Sequence, residues 1–266
     1  MNRDVNEHQP IALITGATSG IGAAFAKKLA EKGYNLILHG RREEKLRILA
    51  LTLERDFGIW TEVMIAELSN TDELKVIETR IQELSRLDLL INNAGYWIPG
   101  EFVNRDPDAL ETMIHVHTIA PIRLIRAVLP LMLEQKSGGI INVSSVAAYM
   151  AAPNTENYCA TKAYLLVLSR ALHSTLHRTG VKIQALLPGY TKTEFHTRIG
   201  GTRKGMSPDK VVEASLKHLK KGKLVCIPGY RNKLIVRLVN LLPGFAFYRI
   251  MRRRSDKHKR NRNQSA

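Results

Sequence analysis

The stretch ENYCATKAY places Tyr158 and Lys162 four residues apart, directly before the apolar run LLVLSRAL. On a helix that spacing stacks the two side chains on one face, about one turn apart. A phenol beside an ammonium can serve as a proton donor, because a nearby positive charge favours the phenolate. The same spacing also fits the edge of an ordinary amphipathic helix. The elements around the pair decide which reading holds.

Those elements alternate. Short β-rich runs at 11–15, 35–39, 61–65, 88–92, 139–145, 181–187 and 223–228 are separated by helical patterns at 21–32, 42–57, 71–85, 108–135, 155–179 and 208–221. Most of the strand runs are almost continuously apolar, as expected where helices cover both faces of a parallel sheet. The pattern predicts an α/β chain, a doubly wound parallel sheet of about seven strands with right-handed crossovers. Within the long helix at 108–135, Pro121 and Pro130 each remove a ladder hydrogen bond, so a bend or an unpaired carbonyl is expected near Ala120. The 266 residues suit one large domain over 10–230, with a leader at 1–9 and an extension at 231–266.

After the first strand, TGATSGIG runs straight into a helix. Glycines there let the backbone approach a pyrophosphate, and a helix N-terminus offers unpaired N–H groups to it. The spacing of Gly16, Gly20 and Gly22 is G-x-x-x-G-x-G, and four more motifs follow in order: NNAG from Asn92, INVSS, YCATK and PGYTKT from Pro188. From about Pro10 to Gly229 the chain resembles the short-chain dehydrogenase/reductase superfamily. The resemblance implies a Rossmann-like sheet of order 3-2-1-4-5-6-7 and a nicotinamide cofactor. It places Gly16, Thr18, Ser19, Gly20, Ile21 and Gly22 on that cofactor, followed by Asn93, Ala94 and Gly95. Beyond the sixth strand it adds main-chain atoms at Pro188 and Gly189, with Thr191 and Thr193.

The end of the second strand bears on which nicotinamide cofactor is used. LHGRREEKL carries no acid before Glu43 and two guanidinium groups, Arg41 and Arg42. A guanidinium grips a 2′-phosphate in bidentate fashion, where a carboxylate would repel it. NADP(H) is therefore expected, Arg41 as the principal contact and Arg42 as the second. His39 reads as a strand-end residue. After the third strand, Glu67 and Leu68 stand where the family meets the adenine, Leu68 the better match.

Ser145 lies at the carboxyl end of the fifth strand, thirteen residues before Tyr158 and seventeen before Lys162. The resemblance makes these a catalytic Ser–Tyr–Lys set: Tyr158 the acid–base, Lys162 tuning it, Ser145 on the carbonyl oxygen. The spacing favours Ser145 over Ser144, which is expected to satisfy local backbone groups. Family members carry asparagine where this chain has His117, so a ring that titrates near neutrality is weighed against a packed substitution. His173 and His177 have a metal-compatible spacing but no third ligand, and no metal is expected. Cys159 reads as a packing thiol. Residues 190–208 form the lid expected over the substrate, with Phe195 facing it.

Two cysteines supply no disulfide framework, and MNRDVNEHQP has no apolar h-region, so a cytoplasmic chain is expected. Of the net charge of +16, residues 231–266 carry +10, from eleven Lys/Arg against Asp256. Apolar residues at 234, 235, 238, 239, 241 and 242 form a helical stripe before that basic segment. Three readings stay open: peripheral attachment to anionic lipid on the inner face of the membrane, a cap or dimer contact, and nucleic acid, the least favoured. The family implies a homodimer or homotetramer. The reading is an NADP-dependent oxidoreductase interconverting a carbonyl and an alcohol on a small, apolar substrate. Its rival is a nucleotide-binding scaffold or redox sensor with little turnover.

Overall fold

The computed structural model describes residues 9–150, 152–194 and 205–242, together with 245, 246, 249 and 252. Phe195 with the lid at 195–204, the leader at 1–8 and the basic run at 253–266 lie outside the described residues. Seven parallel strands make one sheet in the order β3-β2-β1-β4-β5-β6-β7. They are β1 (Ile11–Thr15), β2 (Asn35–Gly40), β3 (Thr61–Ile65), β4 (Leu89–Asn92), β5 (Gly138–Val143), β6 (Val181–Leu186) and β7 (Val225–Cys226).

Alternation along each strand explains why the runs are apolar throughout. Ala12, Ile14, Leu36, Leu38, Leu89 and Ile91 face one layer, with α1 (Gly20–Ala30), α2 (Glu43–Phe57) and α7 (Pro208–Lys220). Leu13, Ile37, Leu90 and Ile140 face the other, with α3 (Thr71–Gln82) and α5 (Ala120–Glu134). Each fully buried Leu or Ile contributes about 1.5–3 kcal/mol, so a register slip that moved one strand's set to the wrong face would be costly. This is a Rossmann-like fold in a single domain.

The long helix begins as α4 (Pro107–Ile114), widens into a π-helical turn at His115–Ile119 and continues as α5. The Ala120 N–H reaches the His115 carbonyl, five residues back. Pro121 has no N–H for the His117 carbonyl, and a wide turn accommodates that loss. The expected bend near Ala120 is thus a π turn. Residues Pro107–Glu134 have the length and apolarity of a membrane span, but half of the apolar window is buried, with Leu124, Ile125, Val128 and Met132 in the core.

The strands β4 to β7 are each shorter than the sequence predicts, and the ends of β7 and β5 bear on the site. β7 covers only two residues because the Lys223 N–H is taken by the His218 carbonyl at the end of α7, and Pro228 has no donor. β5 ends at Val143: the Ser144 N–H makes the last ladder bond, to the Leu186 carbonyl, and the chain then leaves the sheet into the 3-10 turn that Ser145 caps. That early stop swings Ser145 out of the sheet. The last two helices are α6 (Glu156–Thr175) and α8 (Tyr230–Leu241).

Candidate active site

The end of β5 and the first turns of α6 are joined in both directions. Ser144 Oγ donates to the Lys162 carbonyl at 2.6 Å, and Lys162 Nζ donates to the Val143 carbonyl at 3.0 Å. Ser144 therefore satisfies a backbone group. Ser145, in extended backbone, caps the 3-10 turn Val146–Tyr149 by accepting from the Ala147 N–H at 3.1 Å. Its side chain also hydrogen-bonds the Tyr158 hydroxyl. Lys162 Nζ stands 5.7 Å from the centre of the Tyr158 ring. Ser145, Tyr158 and Lys162 thus converge at the carboxyl end of the sheet, where open α/β folds bind ligands.

Burial dominates the electrostatics here. It pushes the Tyr158 phenol up to about 12, against the opposing hydrogen bond from Ser145. It pushes the Lys162 ammonium down to about 8. The lowering expected from a neighbouring ammonium is not seen on the phenol: burial is the largest influence on both groups and favours the neutral form of each.

His117 is fully buried from the π turn. Its Nε2 accepts from the Tyr96 N–H at 2.9 Å, so in the neutral ring the proton is on Nδ1, which donates to Thr161 Oγ1 at 3.0 Å. Thr161 in turn donates to the Tyr158 carbonyl. Protonating Nε2 would set two N–H groups against each other. Burial, and then the charge of Lys162, hold the ring's pKa well below the usual histidine range. Of the two readings weighed from the sequence, this geometry favours the packed substitution over a ring titrating near neutrality. Gly95 passes so close that a Cβ there would lie 2.9 Å from His117 Nε2 and 3.3 Å from Lys162 Nζ.

At β1 the glycine loop is pinned by its neighbours. Asn93 Nδ2 donates to the Thr15 and Gly16 carbonyls, and Thr15 Oγ1 accepts from the Asn93 and Ala94 N–H groups. A Cβ on Gly22 would meet the Gly16 carbonyl oxygen at 2.3 Å, and Gly16 itself has φ +67°. Side-chain caps close α3, α4 and α7 through Asn70, Asp106 and Ser207, whereas Ser19 makes no such bond at α1. A glycine turn below an uncapped helix N-terminus fits a pyrophosphate. Ile21 packs against the core layer of α1.

The two arginines separate. Arg42 folds over the loop, Nε and Nη2 donating to Thr18 Oγ1 at 3.2 and 2.8 Å and Nη2 to Ser19 Oγ at 2.9 Å. Arg41 turns away to the Glu67 carboxylate at 2.9 Å and is largely exposed, while Leu68 is buried. His39 is buried with Nε2 on the Ala66 carbonyl.

Beyond β6, the buried Pro188 accepts from the Val146 N–H, tying this turn to the 3-10 turn after Ser145. A Cβ on Gly189 would strike Asn232 of α8 at 2.4 Å. Thr191 Oγ1 donates to the Gly189 carbonyl, and the Thr193 methyl sits against Gly20. The Lys192 N–H donates to the Met206 carbonyl and the Met206 N–H donates to the Tyr190 carbonyl, which joins the two stems of the lid.

Several residues of the site carried no sequence signal. Thr161 orients His117 from within YCATK, but only the tertiary contact reveals it. Arg105, buried, ties the Gly100 and Asn154 carbonyls and Glu156 together, holding the 96–104 loop to the start of α6. Glu194 pairs with Arg42 and Lys45 from 149 and more residues away.

A family model described as short chain dehydrogenase matches residues 10–204. An uncharacterized oxidoreductase of Staphylococcus aureus strain USA300 is 33% identical over 231 residues, covering 86% of this chain and 97% of that protein. Among solved structures, a short-chain dehydrogenase from Sphingobium yanoikuyae in complex with NADPH superposes with TM-score 0.80 at 34% identity, over 88% of this chain and 97% of that one. The bulky-bulky ketone specific alcohol dehydrogenase from Comamonas testosteroni gives TM-score 0.77 at 32% identity, over 88% and 95%. With sheet order, glycine loop and the β5–α6 cluster in agreement with these matches, the chain belongs to the short-chain dehydrogenase family of oxidoreductases.

Proposed function

We propose that the protein interconverts a carbonyl and an alcohol with NADP(H), Tyr158 serving as general acid in reduction and general base in oxidation. The convergence of Ser145, Tyr158 and Lys162 on one another carries this reading. When bound, the nicotinamide supplies or accepts the hydride. Tyr158 then holds the proton destined for the substrate oxygen, and a phenol raised to about 12 is fully protonated at neutral pH, as reduction requires. Ser145 donates to the same oxygen as charge develops on it. Lys162, held on the Val143 carbonyl beside the Tyr158 ring with its pKa at about 8, carries its charge at neutral pH and sets a cation beside the phenol as the proton leaves. The His117 ring takes no part in proton transfer, because both ring nitrogens are committed.

Arg42 over Thr18 and Ser19, with Arg41 and Lys45 beside it, supports NADP over NAD. A bulky apolar ketone is the substrate class favoured: the apolar helix α8 packs beside Val146–Tyr149, next to Ser145, and the Comamonas enzyme's ketone specificity agrees. Incubating the protein with NADPH and a panel of aldehydes and ketones tests the reading. Oxidation of NADPH with bulky ketones supports it. Binding of NADPH without turnover on any member favours the scaffold or sensor.

A second element concerns attachment, with 10–230 as the catalytic unit and 231–266 as the anchor. Leu234, Ile235, Leu238 and Leu241 of α8 are exposed beside Arg231, Lys233 and Arg237. Such a face suits peripheral contact with anionic lipid on the cytoplasmic side. Flotation on anionic vesicles that persists without residues 231–266 would refute it. Exposed Ile114, Leu133, Tyr164 and Val167 on α4, α5 and α6 support a homodimer or homotetramer, measurable by light scattering.

A further inference from the structure

The cations at the end of β2 all hold carboxylates of this chain. Arg41 Nη1 is on Glu67 at 2.9 Å. Arg42 Nη1 is on Glu194 Oε2 at 2.7 Å, and Lys45 Nζ is on Glu194 Oε1 at 3.1 Å. Glu194 uses one oxygen for each cation, as two oxygens of a phosphate would. It arrives from the far side of the groove, directly after Thr193, whose methyl group rests on Gly20, and two residues beyond the lid stem at Lys192. The remaining Arg42 donors are turned inward to Thr18 and Ser19, so Glu194 occupies the outward edge of the guanidinium. That outward edge, with Lys45 beside it, is where a 2′-phosphate would be gripped.

We propose that Glu194 is a built-in competitor for the 2′-phosphate: NADP(H) displaces it from Arg42 and Lys45, whereas NAD(H) leaves it in place. The inference rests on the NADP reading above. A dianionic phosphate outbids a single carboxylate for two cations, so displacement proceeds, but the affinity gained is reduced by the pairs that must be broken. An adenosine without the phosphate breaks no pair. Glu194 thereby narrows the discrimination between the two cofactors and couples the base of the lid to which one is bound. The side chains of Glu194, Arg42 and Lys45 are 44%, 33% and 52% exposed, so each pair is screened and modest.

The test uses the full chain and calorimetric titration with two probes lacking nicotinamide, 2′,5′-ADP and 5′-ADP. Glu194→Gln keeps the size of the side chain and removes its charge. It is expected to bind 2′,5′-ADP about 2–10-fold tighter than the wild type, the gain shrinking in high salt, as exposed ion pairs imply. Binding of 5′-ADP is expected to change by less than about twofold on the same reasoning. Equal weakening of both probes would overturn the proposal, showing that Glu194 clasps the groove instead of competing within it. No change in either would overturn it as well. A wild-type chain that binds both probes equally overturns the NADP reading instead, and the competitor is then judged by whether Glu194→Gln acquires a preference for 2′,5′-ADP.

Discussion

The carboxyl ends of β5 and β2 hold their charges in opposite ways. At β5, Lys162 and His117 are buried, and their polar atoms are committed to backbone or hydroxyl partners within 3.0 Å. At β2, Arg41, Arg42 and Lys45 are one-third to two-thirds exposed, with carboxylate partners that an incoming anion can replace. Burial shifts proton affinities by units, whereas exposed pairs are screened to fractions of a kcal/mol. Chemistry that must be poised is assigned to the first end, and recognition that must be reversible to the second. Substitutions at β5 should therefore change rates and pH dependence, and those at β2 only affinity.

The largest effect is expected from Tyr158→Phe. It removes the hydroxyl bonded to Ser145 and leaves the ring. NADPH oxidation should fall roughly 10²–10⁴-fold, the usual scale of general acid–base catalysis, with NADPH binding retained. Turnover near the wild-type value would remove Tyr158 from the mechanism and with it the contrast between the two ends.

Lys162→Met should come next. The unfolded ammonium titrates near 10.5 and the folded one near about 8. Between those values the unfolded chain binds more protons than the folded chain, so this group makes stability rise with pH over that window. The full cost is carried below pH 8, and the size is about 3 kcal/mol. Denaturant melts of the methionine variant should lose that rise. Tyr158 acts in the reverse sense, since a phenol raised to about 12 holds its proton after the unfolded one has lost it, and stability falls above pH 10. If wild type and Lys162→Met show parallel stability curves from pH 8 to 10, Lys162 is not the buried cation described here.

How much of this could be read from residues alone differs between the two ends. The alternation of elements, the glycine spacing and YCATK are local patterns, so the parallel sheet, the turn at β1 and the Tyr158–Lys162 pair followed from them, whereas the strand order and the grouping with Ser145 came with the family resemblance. The direction of the Tyr158 shift did not, because charge proximity is visible in a four-residue spacing and desolvation is not. For His117 the sequence showed a titratable ring, but its tautomer depends on Tyr96 and Thr161, 21 and 44 residues away. At β2 the two adjacent arginines are equivalent by sequence. Their opposite directions are set by Glu67 on one side and by Thr18, Ser19 and Glu194 on the other.

A smaller effect is expected at the acid limb for His117→Asn. A ring kept neutral in the fold but protonated when unfolded makes stability fall as pH drops below about 6.5. His39, lowered to about 4 by burial, adds to that fall. The asparagine variant should be less sensitive between pH 6.5 and 5 in denaturant melts, with an unchanged pH–rate profile. A displaced profile would place the ring back in the proton path.

The smallest effects distinguish the two arginines and sharpen the contrast at β2 itself. Arg42 donates three hydrogen bonds to the Thr18 and Ser19 hydroxyls, so its guanidinium is held over the glycine loop before any ligand arrives. A positioned cation loses less side-chain entropy on gripping a phosphate than a mobile one does. Arg41 is 63% exposed and its carboxylate partner Glu67 lies on the β3 side, so it must be drawn back toward the groove. Arg42→Ala should therefore weaken 2′,5′-ADP by about 5–30-fold, on the scale of a charge-assisted bidentate contact, and Arg41→Ala by about 2–4-fold, on that of a screened one. Neither should alter kcat at saturating NADPH, because both lie at the adenosine end. Affinities in the reverse order would make Arg41 the principal contact, as the sequence alone suggested. A fall in kcat from Arg42→Ala would show that the two ends are not separable, since the lid stem that carries Glu194 would then be reaching the chemistry.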